Sequence, residues 1–432
     1  MAIAAVPHYL LKQDLSQASP GLRFGMYLPF WGVDNRTGEH LWTTHDVNER
    51  SAGPQRELRA FKDENKAAAL KQALRLNAAD VDLMRALAQR QAALAAPMAA
   101  QGRLLALDAR AVAPFTTGLG NEHPLENGFA FLNPYGLPYL AGSGVKGMLR
   151  QAARELASGD WGDTQGWDSR AIDTLFGWES ANGETEHQRG ALICWDVIPQ
   201  ITGDALQVEV MTPHQSHYYQ DRRDARSGDS SSPHESGQPN PINFLTVPPG
   251  TGFAFHLQCD VPFLAAQHAE LAQNGRWQAL LQAALRHAFA WLGFGAKTAV
   301  GYGAMEEDQQ AARARQQALE SAQARAAAED RVRRMAAMSP EDQAFEAAKV
   351  ELAQFSQALD TAKKAGAFNP SGPFNQIRLA FMATALAWTE PRSRQAAAEL
   401  LASSATKDWG RPSKKERWQE LQQAIAQLRG QA

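Results

Sequence analysis

The sequence predicts an α+β protein: a ferredoxin-like (RRM-like) core with insertions, followed by an α-helical C-terminal appendage. Two observations lead there. Between residues 103 and 305 the hydrophobic patterning runs strand, helix, strand, strand, further strand, helix, strand, which approximates the β-α-β-β-α-β order. From Glu306 onward Ala, Gln, Glu and Arg dominate and helix-start signals recur. The chain therefore divides into an N-terminal arm with helices (1–100), the core (101–306) and a helical extension (307–432).

Residues 1–60 mix aromatic and turn residues and read as an irregular arm with short strands. From Gln55 to Ala96, Leu70, Leu74, Leu76, Val81, Leu83, Met84 and Leu87 recur among Ala, Lys, Arg and Gln. This is the pattern of two helices broken near Asn77, with Asp80 as a cap for the second. Arg103–Ala109 is a short strand, and 115–124 a turn-rich loop. Val145, Met148, Leu149, Ala152, Ala153 and Leu156 then mark an amphipathic helix with Ser143 near its cap. Gly190–Ile198 reads as a largely buried strand, and Leu206, Val208 and Val210 alternate as in a half-buried one.

The polar run Gln220–Asn240 reads as a mobile insertion. Strands resume at Asn243–Val247 and at Phe253, Phe255, Leu257 and Cys259, and a helix follows from Trp277 to Trp291. In the appendage, Ser339, Pro340 and Glu341 start a helix that Gly366 stops. Ser413 and Glu416 fit a capping box before a last helix carrying Trp418, Leu421, Ile425 and Leu428.

Composition narrows the function. The formal net charge is -3, so any nucleic-acid contact must come from local basic patches. The two cysteines, Cys194 and Cys259, lie in apolar segments, which argues against a disulfide scaffold or a cysteine zinc site. No leader-like or bilayer-length apolar segment occurs, so a cytoplasmic location without membrane contact is expected.

Two glycine-rich stretches carry the chemistry. In the first, Gly142, Gly144 and Gly147 let backbone N–H groups approach a bulky anion, and Lys146 and Arg150 add charge one helical turn apart. A helix N-terminus with free amides and two cations suits a phosphate. A P-loop would need a lysine after the second glycine and a hydroxyl residue next; here Lys146 precedes Gly147 and Met148 follows. The second stretch, 292–304, holds Lys297 and Thr298, but Ala296 separates the lysine from Gly295. A nucleotide-hydrolysing switch is thus disfavoured, and a nucleic-acid backbone is the better ligand. The ordinary alternatives are a glycine turn without ligand, and a helix C-cap leading to a last strand.

Several pieces together resemble the RAMP-type proteins of CRISPR systems, and within them the sixth-subunit family of the type III-B Cmr complex. They are Gly118 and Gly120 with His123 and Pro124; Gly136, Pro138 and Tyr139 running into 142–147 and Arg150; Thr212, Pro213 and His214 to Tyr218 and Tyr219; Asn240 and Pro241 with Phe244 and Leu245; and 293–303. Ala141 and Gly144 stand where the family usually has proline and serine. The resemblance implies a RAMP core and a non-catalytic subunit of the RNA-guided effector. Such a subunit binds CRISPR RNA, meets target RNA and caps the backbone beside other RAMP subunits in defence against foreign RNA. It further implies guide-RNA contact through Gly142, Ser143, Gly144, Val145, Lys146, Gly147 and Arg150, and through Gly293, Gly295, Lys297, Gly301 and Tyr302, with the two stretches lying together.

His214, Tyr218 and Tyr219 would stack on bases, or pack at a sheet edge. The pair His214 and His217 lacks a zinc spacing, so no metal is expected, nor any cofactor. The competing function is a metal-independent endoribonuclease that processes guide precursor, with His123 and His214 as its acid–base candidates.

Overall fold

The computed structural model describes residues 4–10, 13–33, 40–44, 66, 69–180, 187–213, 241–366, 369, 372–406, 409–412 and 414–430. Two compact units divide the chain, Met1–Gln317 and Ala318–Ala432.

In the first unit the arm carries a short helix, Pro20–Gly25, and a two-stranded pair, Trp31–Val33 with His40–Thr44. Helix α1, Ala78–Ala100, begins at the predicted break. Asn77 itself is the N-cap, and Asp80 is the reciprocal partner: the Asn77 side chain accepts the Asp80 N–H while the Asp80 carboxylate accepts the Asn77 N–H, both at 2.9 Å. Strand β1 is Leu104–Ala111, helix α2 is Gly142–Ser158 and helix α3 is Ser169–Phe176. Strand β2 is only Leu192–Cys194, shorter than the expected 190–198, because Val197 leaves the sheet to bridge Leu140. Strands β3, Gln207–Met211, and β4, Ile242–Thr246, form a separate antiparallel hairpin. Strand β5 is Gly252–Cys259, helix α4 is Arg276–His287, and strand β6 is Met305–Glu307.

The main sheet has the order β6-β1-β5-β2, and every neighbouring pair is antiparallel. Alternation along β1 and β5 sends Leu105, Leu107, Ala109, Phe253, Phe255 and Leu257 to one face. There they share a core with Val145, Leu149 and Leu156 of α2 and Leu281 and Leu285 of α4. The arm joins the same core through Phe24, Leu28 and Phe30. On the other face His256 follows Ala106 and Asp108; Arg315 pairs with Asp108 at 2.6 Å, and His256 is only 3% exposed. The strict alternation read from the sequence is thus overlaid by burial on both faces.

Helix α5, Gln309–Ala337, carries no buried residue, as a charged helical segment would. The second unit contains α6, Pro340–Lys364, α7, Pro373–Leu386, α8, Pro391–Ser403, and α9, Lys415–Leu428. Ser339 caps α6, accepting the Asp342 N–H at 3.1 Å, and Gly366 takes a left-handed φ of 94° just past the helix end. Phe355, Phe374, Phe381, Leu401, Leu421, Ile425 and Leu428 form its own core, with Phe355 and Phe381 stacked at 4.1 Å. The final helix starts after Lys414; Ser413, expected as its cap, lies outside the described residues. Among the described residues no helix is long and apolar enough to cross a membrane.

Candidate nucleic-acid interface

The first glycine stretch is the opening of α2. Gly142 sits so close to β2 that a Cβ there would stand 2.1 Å from the Cys194 carbonyl oxygen. Packing, not ligand approach, is what requires a glycine here. The cap expected from Ser143 is absent: Ala141 is the N-cap residue, and Ser143 is exposed in the first turn. Asp196 takes the role, its carboxylate accepting the Gly142 N–H at 2.7 Å. Gly144 is exposed and Gly147 has open space at its Cβ position, whereas Val145 is buried in the core.

Both cations of this stretch lie half-buried along the helix. The Lys146 ammonium donates to the Leu192 carbonyl at 3.1 Å, and Arg150 Nη2 to the Gly177 carbonyl at 2.9 Å. Burial pulls Lys146 below the usual lysine range, and the charge of Arg150 acts in the same direction. Burial pushes the Cys194 thiol up to about 12, so it is a neutral neighbour. Arg150 Nε is buried with no hydrogen-bond partner among the described residues.

The second stretch follows α4 and a widened helical turn, Ala288–Leu292. Gly293, Gly295 and Gly301 all have positive φ, and a Cβ on Gly295 would stand 2.2 Å from the Thr116 carbonyl. The stretch is stitched to the chain beyond β1: Ala296 donates to the Thr116 carbonyl and Gly303 to that of Pro114, each at 2.8 Å. Lys297 adopts φ 58°, and its ammonium rests 3.6 Å from Met211 Sδ and 5.2 Å from the Phe244 ring centroid. The Tyr302 hydroxyl reaches Glu209 at 3.5 Å, and its ring meets Phe244 edge-on at 5.4 Å. Burial and the Glu209 carboxylate raise the Tyr302 phenol. The predicted C-cap and turn into a last strand is also present, ending in β6.

Lys146 and Lys297, expected to lie together, are anchored to different segments. Lys146 is tied to β2 at Leu192, which opposes Cys259, whose N–H in turn bonds the Arg103 carbonyl at the start of β1. The loop 293–303 is tied to Pro114 and Thr116, past the end of β1. Separate anchoring follows from the sheet order, since β2 is one edge and β6 the other.

His123 is a packing residue here. Its ring stacks on Phe24 at 3.9 Å, Nε2 lies 3.1 Å from the Phe24 carbonyl, and Nδ1 accepts the Leu125 N–H at 3.2 Å. This arrangement is that of a neutral ring with Nε2 as donor, and burial lowers the His123 pKa. Both His123 nitrogens are committed to backbone, so this ring is not free to act as an acid or base. His214, His217, Tyr218 and Tyr219 lie outside the described residues. Among the described residues no group of three or more His, Cys, Asp or Glu side chains is placed to hold a metal ion.

Asp196, Met211 and Glu209 were not legible as site residues, and Phe244 stood only among the pieces of the family resemblance. Each lies tens of residues from the cation, amide or hydroxyl it meets, so no local spacing announces it.

The RAMP superfamily profile matches residues 108–306, which span the sheet and both glycine stretches. The CRISPR system Cmr subunit Cmr6 of Pyrococcus furiosus is 28% identical over an alignment of 240 positions, covering 44% of this chain and 64% of that protein's length. Among solved structures, the crystal structure of Cmr6 from Pyrococcus furiosus aligns with a TM-score of 0.26 at 23% identity, over 48% of this chain and 97% of that one. A chain of the type III-B Cmr-beta complex bound to cognate target RNA aligns with a TM-score of 0.36 at 17% identity, over 57% and 71%. Residues 108–306 thus match the RAMP superfamily, and the chain resembles the sixth subunit of the type III-B Cmr system.

Proposed function

We propose that this chain is a non-catalytic RNA-binding subunit of a type III-B CRISPR effector, holding CRISPR RNA through its phosphates and capping the backbone beside other RAMP subunits. Target RNA is met only as the strand paired to that guide. The sheet order, read with its two helices as last-first-third-second, supports a ferredoxin-like core for this role.

One observation carries the reading. Arg110, Arg189, Arg276, Arg286 and Arg315 of the first unit each pair with a carboxylate, whereas Lys146, Arg150 and Lys297, like Arg23 and Arg170, have no carboxylate partner among the described residues. In a chain of net charge -3, partly buried cations left without a counter-charge favour an anion from outside. Their anchoring on different segments suits a polyanion, which can meet both. The sequence relationship to a Cmr subunit makes guide RNA the polyanion of choice.

The test is purification of the tagged full chain from cells carrying the system, with sizing of bound RNA, and filter binding of single-stranded RNA at several salt concentrations. Retained RNA of uniform length and a salt-dependent affinity are expected. Absence of RNA at low salt, or discrete cleavage of repeat-containing RNA in EDTA, would overturn the proposal.

A further inference from the structure

Two tryptophans stand exposed side by side on the first unit. Trp161 is 48% and Trp291 66% exposed, with ring centroids 5.0 Å apart and planes at 52°. Indoles carry a large apolar face and are ordinarily turned inward, so a paired exposure of this kind marks a contact surface.

The footing beneath them is rigid. Trp161 meets the His287 ring edge-on at 4.9 Å, and His287, itself buried, holds the Glu155 carboxylate at 2.7 Å. Trp161 follows Gly159, whose left-handed conformation ends α2. Trp291 belongs to the π-helical turn Ala288–Leu292 that continues α4. Within that turn Phe289 goes inward, 5.5 Å from Phe255 and 5.7 Å from Phe294, while Trp291 is left outside. Such turns are frequent at functional sites because they shift the side chains that follow. Trp291 is also two residues before Gly293, at the mouth of the loop that holds Lys297.

We propose that Trp161 and Trp291 form an aromatic platform that stacks one unpaired nucleobase of the bound single-stranded RNA. This rests on the RNA-binding reading above and deepens it, since continuity with the glycine stretch sets the base beside the backbone held there. Stacking on an aromatic face is tolerant of base identity, which suits a guide whose sequence varies.

The experiment compares a fluorescein-labelled single-stranded oligouridylate with an oligomer of the same length carrying abasic sites, on the full chain. The wild type is expected to bind the base-bearing oligomer about tenfold more tightly. In the double variant Trp161→Ala with Trp291→Ala that preference disappears, while the salt slope, set by phosphate contacts, stays the same. Trp291→Phe keeps an aromatic face and retains most of the preference, which guards against a folding defect. Equal binding of both oligomers by the wild type, or a preference unchanged in the double variant, overturns the platform while leaving RNA binding intact. Unchanged RNA affinity with loss of a co-purifying subunit assigns the pair to a protein contact instead. Failure of the wild type to bind either oligomer overturns both this inference and the RNA-binding reading.

Discussion

The Asp196 carboxylate accepts the backbone N–H of Gly142 at 2.7 Å, so the positive end of helix α2 is already answered by the chain itself. A phosphate at this turn would meet a carboxylate before it met the first free amide. In the proposed RNA-binding role, contact along α2 would therefore fall to the side chains of Lys146 and Arg150. The glycines of the turn separate accordingly. Gly142→Ala would drive a Cβ into the Cys194 carbonyl and is expected to destabilise the first unit by several kcal/mol, as overpacking against backbone does. Gly147→Ala has open space and should be neutral or stabilise by up to about 1 kcal/mol through helix propensity. Urea titration of both variants checks the contrast.

Removing the cations should change how salt acts on binding. Lys146→Ala with Arg150→Ala is expected to flatten the log–log salt dependence of single-stranded RNA binding by about 0.7 for each phosphate left without its cation. Lys297→Ala should flatten it by a similar step on its own, because it is anchored at the far end of β1. An unchanged slope in filter binding would show that the residue concerned neutralises no phosphate.

Acid should weaken the first unit through His256. Burial, with the Arg315 charge beside it, pulls His256 down to about 4, whereas the unfolded chain titrates near 6.5. The folded state therefore binds fewer protons between those two values. The stability this histidine contributes is complete above pH 6.5 and falls as pH drops toward 4, by up to about 3 kcal/mol. Urea midpoints at pH 7 and pH 5 measure it, and His256→Gln should show a flatter pH dependence than the wild type.

The helical second unit has its own core, with Phe355 buried and stacked on Phe381. Expressed alone as residues 318–432, it is expected to give a cooperative thermal transition by circular dichroism. Phe355→Ala should cost about 3–5 kcal/mol, enough to lower or abolish that transition.

Much of the architecture is local and was legible. Asn77 with Asp80 and Ser339 with Pro340 announce helix starts because caps act within one turn, and the alternation at 253–259 announces a strand because the pleat has period two. The RAMP resemblance rests on motifs of the same local kind, and residues 108–306 carry the family match. Tertiary structure alone decided what those motifs touch. Lys146 reaches a carbonyl 46 residues away, Gly142 a carboxylate 54 residues away, and Lys297 a thioether 86 residues away. The order of strands sets such partners, and with them the separate anchoring of the two glycine stretches, the commitment of both His123 nitrogens and the burial of His256. Hydrogen bonds and burial across a sheet depend on which segments become neighbours, and no spacing along one segment encodes its neighbour.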